Sequence, residues 1–131
     1  KQVVKKMLEQ DKNPLESRIL VMGLTFKEDV ADIRNTKVVD VIRELQSYSI
    51  AVDVIDPFAN PSEVGHEYGF DLTEKPAEGA YDAVILAVSH EPYRGMTETD
   101  FEALMKDDKG ILADLKGLLR GQIKRLNYWS L

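Results

Sequence analysis

Along the chain, short apolar runs alternate with stretches in which apolar residues recur every three or four positions. That order builds a mainly parallel α/β sheet. Residues 1–10 carry Val3, Val4, Met7 and Leu8 at helical spacing, and Asp11, Lys12, Asn13 and Pro14 break the pattern. Residues 18–23 (RILVMG) read as a first buried strand ending in glycine. A polar loop covers residues 25–33. Val38, Val41, Ile42 and Leu45 define one face of a helix beginning near Asn35, whose side chain is expected to cap the first turn. Residues 51–56 (AVDVID) alternate and stop at Pro57, giving a second strand. Pro61 suits a first helical turn, so residues 62–68 are expected to be a short helix, followed by a minor strand at 70–72. Residues 81–88 carry the clearest strand signal and read as the centre of the sheet. Residues 97–106 read as a helix capped by Thr97 or Thr99, with Phe101, Leu104 and Met105 on its apolar face. Residues 110–115 (GILADL) form another strand and residues 127–131 a terminal one. The expected architecture is a doubly wound α/β domain over residues 18–131, preceded by the end of an inter-domain helix and a linker over residues 1–17. Ligands of such sheets bind beyond the carboxyl ends of the strands. The loops to watch are therefore residues 24–34, 57–60, 89–95 and 116–121.

Composition narrows the classes of function. With 131 residues the chain is about one domain long. Hydrophobic content of 44% with 31% charged residues fits a soluble globular protein. The absence of cysteine excludes a disulfide scaffold, a thiolate metal site and a cysteine nucleophile within these residues. The longest apolar run, residues 83–88, is too short to span a membrane. No signal peptide is visible, which points to the cytoplasm. The first residue is Lys1 rather than methionine, so a fragment or processed chain is expected. A net charge of −6 argues against general nucleic-acid binding, which needs clustered positive charge. Charge is unevenly spread: residues 53–82 hold eight acids against Lys75, whereas residues 116–131 hold Lys116, Arg120, Lys124 and Arg125 and no acid. An anionic ligand belongs near that basic stretch or near Lys27.

The loop after the first strand, Gly23-Leu24-Thr25-Phe26-Lys27-Glu28-Asp29, holds the most chemistry. It has one glycine where a dinucleotide fingerprint takes three. It offers backbone N–H groups, the Phe26 ring and two cations, Lys27 and Arg34, near a helix N-terminus that favours anions. The competing reading pairs Lys27 and Arg34 with Glu28, Asp29 and Asp32 at the surface. Asp56 ends the second strand 33 residues after Gly23. A ribose-binding acid lies about 20 residues after the glycine motif, so a turn or cap before Pro57 is the better reading. In Ser89-His90-Glu91-Pro92-Tyr93 no third group orients the Ser–His pair, and His90 is expected to donate to loop backbone. His66 reads as a surface residue, and two distant histidines without cysteine do not make a metal site. Lys116 follows the last main strand and shares a sheet edge with Lys27 if both strands are parallel. Two lysines there would suit a diphosphate or sugar hydroxyl; the alternative is a strand end facing water.

Taken together these segments resemble the C-terminal, UDP-binding domain of the UDP-glucose/GDP-mannose dehydrogenase family. The resemblance rests on GLTFKEDVADIRNTKVVDVI (residues 23–42), Asp56-Pro57, YDAVILAVSHEPY (residues 81–93), LADLKGLL (residues 112–119) and the final YWSL. DIRNTK and AVSHEPY are similar to the branch that oxidises UDP-N-acetylhexosamines. The resemblance implies a Rossmann-like sheet within a three-domain enzyme. It also implies two successive NAD-dependent oxidations at C6 of a UDP-sugar, giving a uronic acid. Family members use a cysteine that forms a thiohemiacetal and a thioester, in domains these residues do not include, so the fragment is expected to be inactive alone. Carried over by position, Phe26, Lys27 and Lys116 would contact substrate and Arg34 would reach the cofactor. A lysine at 116, where some relatives carry an arginine, keeps the charge but loses the bidentate fork. The implied partners are the UDP-sugar, the remaining domains of the chain and a second copy in a homodimer or higher assembly, with no nucleic acid and no membrane. Two other classes compete: a receiver-like signalling domain, which needs an acidic pair after the first strand, and a purely structural or dimerisation module.

Overall fold

The computed structural model describes residues 13–34 and 36–130. After a 3-10 turn at Pro14–Glu16 come β1 (Arg18–Met22), α1 (Val38–Ser47), β2 (Ala51–Ile55), α2 (Pro61–Tyr68) and β3 (Ala83–Leu86). Two short helices follow, α3 (Glu91–Arg94) and α4 (Glu98–Glu102), then β4 (Ile111–Asp114) and β5 (Asn127–Ser130). The five strands form one sheet in the order β2-β1-β3-β4-β5, and each neighbouring pair is parallel. This is the doubly wound Rossmann-like arrangement expected from the pattern.

Side chains alternate across the strands and so build two cores. Ile19, Val21, Ala83, Ile85, Ile111 and Ala113 pack on one face with α1, through Val38, Val39, Ile42 and Leu45, and with Val64 of α2. Leu20, Met22, Val84, Leu86 and Leu112 pack on the other with Tyr93, Phe101, Leu104 and Leu119. β1, β3 and β4 are apolar on both sides because both faces are covered. Between α2 and β3 the chain rounds the outer edge of β2, where Thr73 N–H donates to the Val54 carbonyl. It then joins the second core at Ala77 and Ala80.

Several expectations shift. α1 starts at Val38, not near Asn35, and the Val38 N–H donates to Thr36 Oγ1 at 3.2 Å. The Asn35 cap and the helix over residues 1–10 lie outside the described residues. Residues 70–72 are not a strand; beside them Thr73 N–H bonds to the Val54 carbonyl of β2, while Phe70 and Leu72 pack against the first core. The helix expected over residues 97–106 stops at Glu102, although Thr97 caps it with a reciprocal Asp100 box. Beyond it Leu104 and Met105 still reach the core, and Tyr81 bridges Met105 rather than extending β3. α3 gave no periodicity because it is a single turn.

Candidate functional site

Because every strand runs the same way, Met22, Ile55, Leu86, Asp114 and Ser130 line up at one sheet edge. The loops bearing Lys27 and Lys116 therefore leave the same edge. β1 and β3 approach closely there. Gly23 has φ +99°, and a Cβ on it would lie 2.6 Å from Val88 Cβ and 2.8 Å from Val88 N. Its N–H donates to the Ile55 carbonyl at 2.8 Å, carrying the β1–β2 ladder one residue past β1. Phe26 N–H donates to the Asp32 carbonyl at 2.7 Å and closes the neck of the following loop.

That loop presents Phe26 at 56% exposure, a large apolar ring left in water. A cleft of about 160 Å³ lies beside it, lined by Thr25, Phe26, Thr36, Lys37, Ala87 and Lys116, among others. Phe26 and Lys116 thus share one cleft. Lys27, exposed and adjacent in sequence, is not among its lining residues, and Lys37 just before α1 supplies the second cation instead. Sequence reasoning passed over Lys37 because its helix was expected to begin earlier. Lys116 is held there by the turn after β4. The buried Asp114 Oδ2 accepts from Leu119 N–H at 2.7 Å and from the Tyr128 hydroxyl at 2.6 Å. Burial first, and the hydrogen bond to Asp114 next, push the Tyr128 phenol up to about 12.

Arg34 stands elsewhere. Its guanidinium meets Asp32 through two hydrogen bonds of 3.1 and 3.2 Å, while 78% of its side chain remains exposed. The hydrogen bonds from Arg34 hold the Asp32 carboxyl below its usual range. Arg34 lines a second cleft, of about 290 Å³, with Asp32, Ile33, Glu63, His66 and Glu67. The surface ion pair weighed as the alternative is present for Arg34. Asp29 is taken by Arg94 at 2.7 Å.

Asp56 is a turn and junction residue. Its Oδ2 accepts from Leu24 N–H at 2.6 Å and Thr25 N–H at 3.1 Å, and its Oδ1 from Phe58 N–H at 2.7 Å and Ala59 N–H at 3.0 Å. Burial pushes its carboxyl up, but these donors and His90 outweigh burial and hold it below the usual range. His90 does not donate to loop backbone: its Nδ1 accepts from the Asp29 N–H at 2.9 Å, and its Nε2 lies 2.9 Å from Asp56 Oδ2. Ser89 is no nucleophile partner, since both ring nitrogens are engaged. The receiver-like reading fails at the same edge, because β1 ends in Met22-Gly23-Leu24 with no acidic pair. Among the described residues no group of three His, Cys, Asp or Glu could hold a metal.

Residues 20–121 match the model of the UDP-glucose/GDP-mannose dehydrogenase family, UDP binding domain. The chain is 47% identical over 118 residues to a UDP-N-acetyl-D-glucosamine 6-dehydrogenase of Pseudomonas aeruginosa, covering 90% of this chain and 28% of that protein. It is 41% identical over 118 residues to the enzyme of the same name from Salmonella typhi, again covering 90% and 28%. It therefore spans just over a quarter of the length of these curated relatives. The solved NDP-N-acetyl-D-galactosaminuronic acid dehydrogenase of Methanosarcina mazei Go1 superposes with a TM-score of 0.84 at 17% identity, covering 98% of this chain and 27% of that one. At that identity the likeness speaks for the fold.

Proposed function

Since the chain belongs to the UDP-glucose/GDP-mannose dehydrogenase family and spans its UDP binding domain, we propose that it holds the nucleotide sugar in an NAD-dependent UDP-sugar 6-dehydrogenase. The reaction is the two-step oxidation of the C6 hydroxyl to a carboxylate, and a UDP-N-acetylhexosamine is the substrate class that the relatives' names favour. The observation that carries the reading is the cleft at the sheet edge, where the exposed Phe26 ring faces cationic Lys116 and Lys37. An aromatic face and ammonium groups match the flat base and the charged diphosphate of such a ligand. The cleft's volume of about 160 Å³ is below the usual ~300–1,000 Å³ of a complete ligand pocket. Its remaining walls belong to the other domains of a longer chain, which makes residues 18–131 one domain of a three-domain enzyme. Lys27 lies next to Phe26 and extends toward the same ligand once those walls are in place.

The residues present do not form a dinucleotide cradle. The β1 loop has a single glycine, and it abuts Val88 rather than opening space for a pyrophosphate. Bound in the other domains, NAD would supply the hydride acceptor, and Arg34, whose guanidinium is largely exposed, is the residue of this chain that would reach it. The cysteine nucleophile that the family resemblance implies is not among these residues, which contain no cysteine. The domain's contribution is positioning: it holds C6 in register for chemistry supplied elsewhere. Assembly as a homodimer or higher, and residence in the cytoplasm, rest on family membership alone. No described helix is long and apolar enough to cross a membrane.

The test is steady-state kinetics of the full-length enzyme. Lys27→Ala and Lys116→Ala are each expected to lower kcat/KM for the UDP-sugar by roughly 10–100-fold, the loss of a charged hydrogen bond of ~1.5–3 kcal/mol. Unchanged values in both variants would refute the binding role.

A further inference from the structure

His90 is fully buried at the carboxyl edge of the sheet, yet nothing in the binding role above uses it. Its Nδ1 accepts from the Asp29 N–H at 2.9 Å, and its Nε2 lies 2.9 Å from Asp56 Oδ2 and 3.1 Å from Thr25 Oγ1. A backbone N–H can only donate, so Nδ1 is the bare nitrogen and this bonding pattern assigns the hydrogen to Nε2. The Thr25 hydroxyl donates to the Lys27 carbonyl at 3.0 Å, which leaves its oxygen to accept from Nε2. One ring therefore joins the loop after β1, the end of β2 and its own loop after β3.

The two loop residues it grips, Thr25 and Asp29, bracket Phe26 and Lys27. Asp29 has φ 59°, in the left-handed region. That conformation is uncommon outside glycine and needs holding by its surroundings. The holding is visible on all sides: the Asp29 carboxylate accepts from Glu91 N–H at 2.7 Å and from Arg94 at 2.7 Å, and its own N–H reaches His90. We infer that His90 is a positioning residue. Through Nδ1 it sets the conformation of the segment that presents Phe26 and Lys27 to the nucleotide sugar. The effect on substrate rests on the binding role proposed above; the grip on Asp29 does not.

Two substitutions in the full-length enzyme separate the two ends of the ring. In His90→Asn the side-chain oxygen stands near the place of Nδ1 and keeps an acceptor for Asp29. In His90→Gln the amide nitrogen reaches toward the place of Nε2 and keeps a donor for Asp56, but Asp29 loses its acceptor. His90→Gln is expected to raise the UDP-sugar KM about tenfold, the weight of one hydrogen bond, and to speed hydrogen–deuterium exchange at residues 25–29. His90→Asn is expected to stay closer to the parent in both readouts, even if both variants melt earlier. Equal KM and equal exchange in the two variants would overturn the inference, because a merely structural histidine does not distinguish its two nitrogens. If exchange separates the variants while Lys27→Ala and Lys116→Ala both leave kcat/KM for the UDP-sugar unmoved, the binding reading falls and the grip on Asp29 stands.

Discussion

Gly23 shows how one position can govern the site without touching a ligand. Its φ of +99° and the proximity of Val88 leave no room for a side chain. Gly23→Ala is expected to cost about 2–4 kcal/mol, combining backbone strain with a steric clash. Gly65 is the internal control: it lies within α2 and a Cβ there would meet nothing within 4 Å. Gly65→Ala should stabilise by ~0.5–1 kcal/mol through helix propensity. Urea titrations of the two variants measure both, and equal shifts would remove the argument from close approach. Arg34 offers the second residue-level prediction. Although its Nε and Nη2 are bound to Asp32, the side chain is 78% exposed, so the rest of its guanidinium remains open to an anion. Arg34→Ala in the full-length enzyme is expected to raise the KM for NAD with little change in melting temperature, since exposed ion pairs add little stability. An unaltered cofactor KM would take Arg34 out of the site.

Between elements, buried carboxylates do the fastening. Asp56 draws in backbone N–H groups from the segments after β1 and β2. Glu98, at the start of α4, does the same for the segment before β5, accepting from Lys124, Arg125 and Leu126 N–H at 2.9, 2.6 and 2.9 Å. Burial pushes the Glu98 carboxyl up, and these donors outweigh it and bring it below the usual range. Both groups have folded-state values below their unfolded ones. Their stabilisation is therefore complete above the unfolded values, roughly pH 4, and is lost as pH falls through the folded values. Thermal melts across the acid range should show a falling melting temperature below about pH 4. Asp56→Asn and Glu98→Gln should be less stable near neutrality and shallower in acid. An acid slope unchanged by both would assign the effect to other carboxylates. This fastening explains why the element boundaries were partly hidden in the sequence. Helix over residues 97–106 was a fair reading of Phe101, Leu104 and Met105, but the chain leaves the helix after Glu102 and buries the last two residues from a turn.

For the whole molecule, the parallel sheet places the informative loops at one edge, and under the proposed function the small cleft there is one wall of the site. The 131-residue chain alone is expected to form no NADH from UDP-sugars and NAD, whereas the full-length enzyme should; turnover by the isolated chain would overturn the division of labour proposed here. Fold class and the succession of strands and helices along the chain were legible because apolar periodicity is local and a doubly wound sheet needs little more than alternating strands and helices. Phe26, Lys27, Arg34 and Lys116 were singled out by their loops and by the family resemblance, and their roles rest on the proposed function. What the chain's order could not reveal was company. Lys37 rather than Lys27 lines the cleft with Lys116, Arg34 faces a separate cleft, and His90 accepts from an amide 61 residues away. Those pairings depend on strand register and on how each loop leaves its strand, which emerge only when distant segments pack together.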